Sequence, residues 1–350
     1  MTLPFTAALC ADAEIENCLA PKAELEAMLA FETALADAQA EAGLIPAEAA
    51  AAIARGCAAF EANEAALTSG LFKDGVLGPG FVKALRQSLP EAARPHLHFG
   101  ATSQDITDTA LTLRLKPVLM ALDARLALLI DGLEALAREQ GSLTLMAQTR
   151  MQAALPITVY DKLEAWLRPL RRHQERLAAL APRLLVIQFG GPVGARTELG
   201  DKADAVAAGL AVRLGLGNAP CWHTSRDNIV EFGATLALVA GAVGKIGQDT
   251  ALLAQTENGA LKIAGGGSSS AMAHKANPVT AELLVALARY AAGLSGTLNQ
   301  ALVHENERSG AAWTLEWFTL PPLAVATGAA LREAIGLVPR MQFQTKTQAR

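Results

Sequence analysis

Apolar residues recur at helical spacing along most of this chain, and proline or glycine marks where several of the periodic runs start and stop. Residues 21–42 read as one helix: Pro21 opens it, Gly43 closes it, and Leu25, Met28, Leu29 and Leu35 share a face. The pattern predicts a second, alanine-rich helix over 46–67, a turn-rich gap over 70–79 and a short helix over 81–89. Residues 90–105 break the period and hold polar side chains. Beyond them come longer runs at 107–140, 157–181, 202–214, 227–261, 278–300 and 320–335. Five of these exceed the mean helix of about 11–12 residues by several turns, which predicts an all-α, elongated bundle. The stretch Gln188-Phe-Gly-Gly-Pro-Val-Gly-Ala-Arg196 predicts a hairpin-like break around a Gly-Gly-Pro turn. No internal repeat is visible.

Composition agrees with a helical protein. Of 350 residues, 51% are hydrophobic, 18% charged and only 5% aromatic, and alanine is abundant. The length allows one large or two to three small domains. Low charge beside so much apolar content points to surface buried in an oligomer. Net charge is −4 with no Lys/Arg block, which argues against nucleic-acid partners. Cys10, Cys18, Cys57 and Cys221 show no C-x-x-C spacing, as in a reducing compartment. No secretory pattern follows Met1. The uncharged runs 232–244 and 318–331 are shorter than the ~18 residues a membrane span needs. A soluble, cytoplasmic protein is expected.

Three separated polar segments interrupt the helical pattern. Residues 265–278, Gly-Gly-Gly-Ser-Ser-Ser-Ala-Met-Ala-His-Lys-Ala-Asn-Pro, combine backbone freedom with one cation, as in a mobile loop over a small anion. A Gly/Ser tract is also linker chemistry, although Met272, His274, Lys275 and Asn277 are not linker residues. Residues 98–105, His-Phe-Gly-Ala-Thr-Ser-Gln-Asp, place the hydroxyls of Thr102 and Ser103 at a helix start. They fit a helix cap, an anion site, or both. The third segment is Gln148-Thr-Arg-Met-Gln-Ala-Ala-Leu-Pro-Ile-Thr158.

Together these segments resemble the three signature regions of the fumarase/aspartase superfamily. The loop follows G-S-S-x-M-P-x-K-x-N-P, with Ser268 for the glycine and Ala273 for the first proline. The first segment follows H-x-G-x-T-S-x-D. In the other, Thr149, Gln152, Ala154, Pro156 and Thr158 match R-T-H-x-Q-x-A-x-P-x-T, but Arg150 stands where most of the superfamily has histidine. In the lyases that histidine belongs to the group handling the leaving amine or hydroxyl. A carboxylate, with a pKa of about 4, leaves or attacks as an anion and needs no acid at neutral pH. A guanidinium can bind it with two N–H bonds, so Arg150 points to lactonisation. An inactivated ancestral lyase, or an arginine turned to the surface, is the other reading.

Further stretches resemble the bacterial 3-carboxy-cis,cis-muconate cycloisomerase branch: Trp222–Asp227, Ala251–Glu257, His304–Ser309 with Glu316-Trp317 and Leu320-Pro321, and residues 28–46 including Glu32. The resemblance implies a small N-terminal helical domain (1–105), a long-helix bundle (106–340) and a tail (341–350), with the third helical domain of relatives missing or reduced. It implies a homotetramer whose active sites are shared between subunits. Ser269, His98 and Lys275 are the catalytic candidates, with Ser269 giving the proton to carbon and His98 orienting carboxylates or sharing proton transfer. Thr102, Ser103, Thr149, Arg150, Gln152, Asn277 and Arg308 are the substrate-binding candidates. The implied reaction closes 3-carboxy-cis,cis-muconate to a carboxymuconolactone through an aci-carboxylate, with no cofactor and no metal. A sulfonate in place of a carboxylate keeps the same charge logic. A fumarate-releasing lyase, such as an adenylosuccinate lyase, and a non-catalytic scaffold are the alternatives. His304-Glu305 lacks the second histidine of H-E-x-x-H, Gly267 to Lys275 is no phosphate-binding loop, His96 and His98 lack a third ligand, and His173 on a basic helix face reads as solvated.

Overall fold

Caps and prolines set the helix starts in this computed structural model, which describes residues 5–268 and 276–345. The first helix, α1 (Ala13–Leu19), begins where the Asp12 carboxylate accepts the Ile15 N–H at 3.2 Å. Pro21 opens α2 (Pro21–Glu41). The single helix expected over 46–67 is two, α3 (Ala47–Ala58) and α4 (Glu64–Asp74). Asn63 ends the continuity by accepting the Ala66 N–H, and Phe60 turns in to meet Phe81 edge-on at 5.6 Å. Much of the expected 70–79 gap is therefore helical, and Gly75 closes α4 with φ of 72°. Then follow α5 (Gly78–Ser88) and the 38-residue α6 (Ser103–Gln140).

After α6 comes a feature the helical pattern hides, an antiparallel hairpin of β1 (Thr144–Thr149) and β2 (Gln152–Thr158). The chain continues through α7 (Val159–Leu184), α8 (Ala203–Leu214) and α9 (Asp227–Leu253). Short strands β3 (Leu261–Ile263), β4 (Gly267–Ser268) and β5 (Ala276–Asn277) precede α10 (Val279–Asn299), α11 (Gly310–Leu337) and β6 (Met341–Phe343). Strand β6 pairs antiparallel with β3, and β5 with β4. The hairpin expected at 188–196 is a loop without strand pairing, in which Gly191 and Gly194 take φ of 68° and 87°. Helix α11 starts ten residues before the expected position because Ser309 caps it, and it runs through Pro321 and Pro322.

Five helices, α6, α7, α9, α10 and α11, pack on one another around a Leu/Ala/Val core. An expected helical bundle is thus the observed architecture, with three two-stranded additions among the described residues. Helix α9 is long and apolar enough to cross a membrane by length and composition, yet it lies at the bundle centre. A Cβ on Gly247 would meet the Ala281 carbonyl oxygen at 2.5 Å, so only glycine allows α9 and α10 this close. A second apolar cluster joins α2, α3, α5 and the start of α6 with Ile187, Phe189, Leu199, Val206 and Leu210.

His173 departs from its expected solvation: the residue is buried on α7, and Arg176 donates to its Nδ1 at 2.9 Å. Burial, with Arg176 and Arg172 beside it, lowers its pKa from 6.5 to about 4. The unfolded chain therefore binds a proton that the fold refuses. Stability should fall as pH drops from about 6.5 towards 4, by at most about 3 kcal/mol from this ring. Urea unfolding across that range should show the slope, and His173→Gln should flatten it.

Candidate active site

The turn before α6 is built to hold polar groups in fixed positions. His98 and Gly100 both adopt left-handed backbone, with φ of 61° and 67°. The His98 Nδ1 lies 2.5 Å from Oε1 of Glu32, a carboxylate 1% exposed on α2. Gln39 on the same helix donates to the Phe99 carbonyl at 2.6 Å, and Arg86 on α5 donates to that of Leu97 at 3.0 Å. Burial alone would lower the His98 pKa, but Glu32, helped by Asp105, outweighs it and raises the value. The imidazolium form is thereby favoured.

Asp105 stitches this turn to its neighbours. Its carboxylate accepts the N–H of Thr102 at 3.0 Å and those of Gly190 and Gly191 at 2.8 Å, and it lies 2.9 Å from His223 Nε2. Arg308, in the loop before α11, donates to Thr102 Oγ1 at 3.1 Å, to Gln104 Oε1 at 3.1 Å and to the Pro192 carbonyl at 3.2 Å. Ser103 and Arg308 then line an open cleft of about 640 Å³ with Asp74, Trp313 and Phe318. A guanidinium beside two hydroxyls and a helix N-terminus makes a carboxylate-binding arrangement. Behind it, Gln104 Nε2 donates to Asp108, which Arg226 grips at 2.6 and 3.2 Å. Arg226 also donates to Glu316, and all three charges are 0–1% exposed.

Of the residues expected at the site, Thr102, Ser103 and Arg308 come together, with His98 on the same turn. Thr149, Arg150 and Gln152 do not join them. They occupy the exposed tip of the β1–β2 hairpin, where Thr149 pairs with Gln152 and Arg150 and Met151 form the turn. Among the described residues no hydrogen bond or ion pair links them to the 98–105 turn. Asn277 pairs with Gly267, also apart. Ser269 and Lys275 lie outside the described residues. Glu32, Asp105, Asp108, His223, Arg226 and Glu316 were not singled out as site residues. For Glu32, Asp108 and Glu316 the signal in the sequence is a charge inside a helical stretch. Asp105 in the polar first turn of α6, and His223 and Arg226 in the polar turn before α9, carry no such signal.

A helical bundle with such an arginine- and hydroxyl-lined turn fits a class, and comparison with known proteins gives the same one. A family model described as lyase matches residues 5–293. The chain belongs to this lyase family, within the fumarase/aspartase superfamily. More particularly, it is 42% identical over 337 residues to the 3-carboxy-cis,cis-muconate cycloisomerase of Pseudomonas aeruginosa, covering 94% of this chain and 73% of that one. The crystal structure of the 3-carboxy-cis,cis-muconate lactonizing enzyme from Pseudomonas putida matches with a TM-score of 0.90 at 40% identity, over 97% of this chain and 77% of that one. A fumarate lyase structure from Mesorhizobium sp. BNC1 matches with a TM-score of 0.88 at 33% identity, over 95% and 76% of the two chains. The chain thus spans about three quarters of the length of these relatives.

Proposed function

We propose that this protein converts 3-carboxy-cis,cis-muconate to a carboxymuconolactone. The observation that carries the reading is its 42% identity with a cycloisomerase across nearly the whole chain. One substrate carboxylate adds through oxygen to the diene, the π electrons move into a neighbouring carboxylate as an aci-carboxylate, and the adjacent carbon takes a proton. Nothing is oxidised or released, and this reading assigns stabilisation of the aci-carboxylate to cationic side chains, so it calls for no cofactor and no metal. Arg308, Thr102 and Ser103 bind one carboxylate, and His98 as imidazolium orients another. Arg150, Thr149, Gln152 and Asn277 supply further contacts, Lys275 stabilises the aci-carboxylate and Ser269 donates the proton. Arginine in place of the lyase histidine suits a carboxylate nucleophile that carries no proton.

The assembly we propose is a homotetramer with shared active sites, working in the cytoplasm. It is supported by the outward face of α9 and α10. There Leu238 and Tyr290 are half exposed, and a Cβ added to Gly241, Gly293 or Gly296 would meet nothing within 4 Å. The matching fumarate lyase structure keeps one alternative open, release of fumarate by elimination.

The test follows ultraviolet loss of the conjugated diene when the purified protein meets 3-carboxy-cis,cis-muconate, with adenylosuccinate as control substrate. Rapid loss with a lactone product is expected, and Ser269→Ala should abolish it. Fumarate from adenylosuccinate with an untouched diene would replace lactonisation by the elimination reading.

A further inference from the structure

Cys221 has no part in the proposed lactonisation, yet its surroundings are those of an ionised thiol. Its sulfur accepts a hydrogen bond from Gln188 Nε2 at 3.2 Å. That amide cannot be turned the other way, because Gln188 Oε1 accepts the Trp222 N–H at 2.8 Å. The backbone N–H and the ring of His223 also act on the sulfur. The ring's Nε2 is anchored 2.9 Å from Asp105 Oδ1, and its buried Nδ1 has no well-aligned hydrogen-bond partner among the described residues. With Nε2–H donating to Asp105, the other ring nitrogen of a neutral His223 carries a lone pair that can take the thiol proton, leaving a thiolate to which Gln188 Nε2 donates.

Space around the sulfur is set by glycine. A Cβ on Gly190 would lie 2.4 Å from Cys221 Sγ, and one on Gly194 3.3 Å. Partly exposed, Cys221 lines an open cleft of about 460 Å³ with Gly194, Arg196, Asp204 and Asn218. The charged groups facing it are His223, backed by Asp105, and the Arg196–Asp204 pair at 3.5 Å across the cleft.

We propose that Cys221, backed by His223 and Asp105, is a nucleophilic thiolate site that takes small activated alkenes from this cleft. The sulfur lone pair forms a C–S bond at the β-carbon. The alkene π bond breaks, its electron pair moves to the carbon beside the carbonyl, and that carbon takes a proton from water. Burial alone would raise the thiol pKa, but His223 and Gln188 outweigh it and lower the value. His223 itself is pushed up to about 9, since Asp105 and Cys221 overcome its burial. Elsewhere burial wins: it raises Cys10 and Cys18, and takes Cys57 to about 11.

The native protein should be treated with N-ethylmaleimide between about pH 6 and 9, and labelled cysteines timed by peptide mass spectrometry, with Cys221→Ser to assign the signal. Cys221 is expected to react at least about tenfold faster than Cys10 and Cys18 at pH 6, with a rate that flattens towards pH 8. His223→Gln should remove the advantage if that variant folds, but the wild-type profile decides alone. Labelling no faster than Cys10, a rate still climbing about tenfold per pH unit through pH 8, or a Cys221 sealed from the reagent would each overturn the proposal.

Discussion

Arg226→Met is expected to cost the fold about 3–5 kcal/mol, which would unfold much of the protein at moderate urea. The guanidinium is fully buried, stacked over Trp222 at 4.6 Å and held between Asp108 and Glu316. Methionine fills a similar volume but leaves two carboxylates in an apolar interior with their main counter-charge gone. Trp313 Nε1 still donates to Asp108 at 2.9 Å, and His304 Nε2 stands 3.7 Å from Glu316, but neither replaces a doubly bidentate arginine. Adding Glu316→Gln should recover part of the loss, because one stranded charge is removed. A urea midpoint shifted by less than about 1 kcal/mol equivalent would mean that water reaches these carboxylates and that the cluster is not a buried anchor. The effect should extend to the cleft, since Asp108 holds Gln104, and Gln104 holds Arg308 against Thr102.

That cluster also shows where the sequence was hard to read. Helix starts were legible at Pro21 and, to within four residues, at the Thr102–Asp105 turn, whereas the capping side chains Asn63 and Ser309 were passed over. Charges buried within or just before apolar helices were not legible, because one sequence does not say which partner crosses from another element to meet them. Arg226 lies 118 residues from Asp108 and 90 from Glu316. His173 misled for a related reason: neighbouring arginines look like a solvated face, yet the ring lies buried and the Arg176 guanidinium donates to it. The 144–158 hairpin carries no Asn-Gly or Asp-Gly signal, so its turn was invisible to composition. Of the candidate site, the 98–105 turn and Arg308 were legible from resemblance. The carboxylates that hold them were not.

Mixing two dead variants, Arg150→Ala and Ser269→Ala, is expected to restore activity to up to about one quarter of the unmutated level. Alone, Arg150→Ala should lose about a hundredfold or more, as loss of a transition-state cation does, and Ser269→Ala essentially everything. The reasoning starts from backbone. Arg150 and Met151 take φ of 47° and 65°, the two-residue turn that normally asks for Asn-Gly. Non-glycine residues hold such conformations at a cost, and that cost is tolerated where the side chain must be presented outward. Met151 and Leu155 are 72% and 73% exposed on this hairpin, an apolar surface that a neighbouring subunit would cover. If the tip reaches a partner's 98–105 turn, each site takes Arg150 from one chain and Ser269 from another. Equal mixing then gives both intact groups to about one half of one half of the sites. Mixed tetramers proven by mass but still inactive would place both residues in one subunit and end the shared-site reading. Recovered turnover would instead make the exposed hairpin part of an active site that no single chain completes.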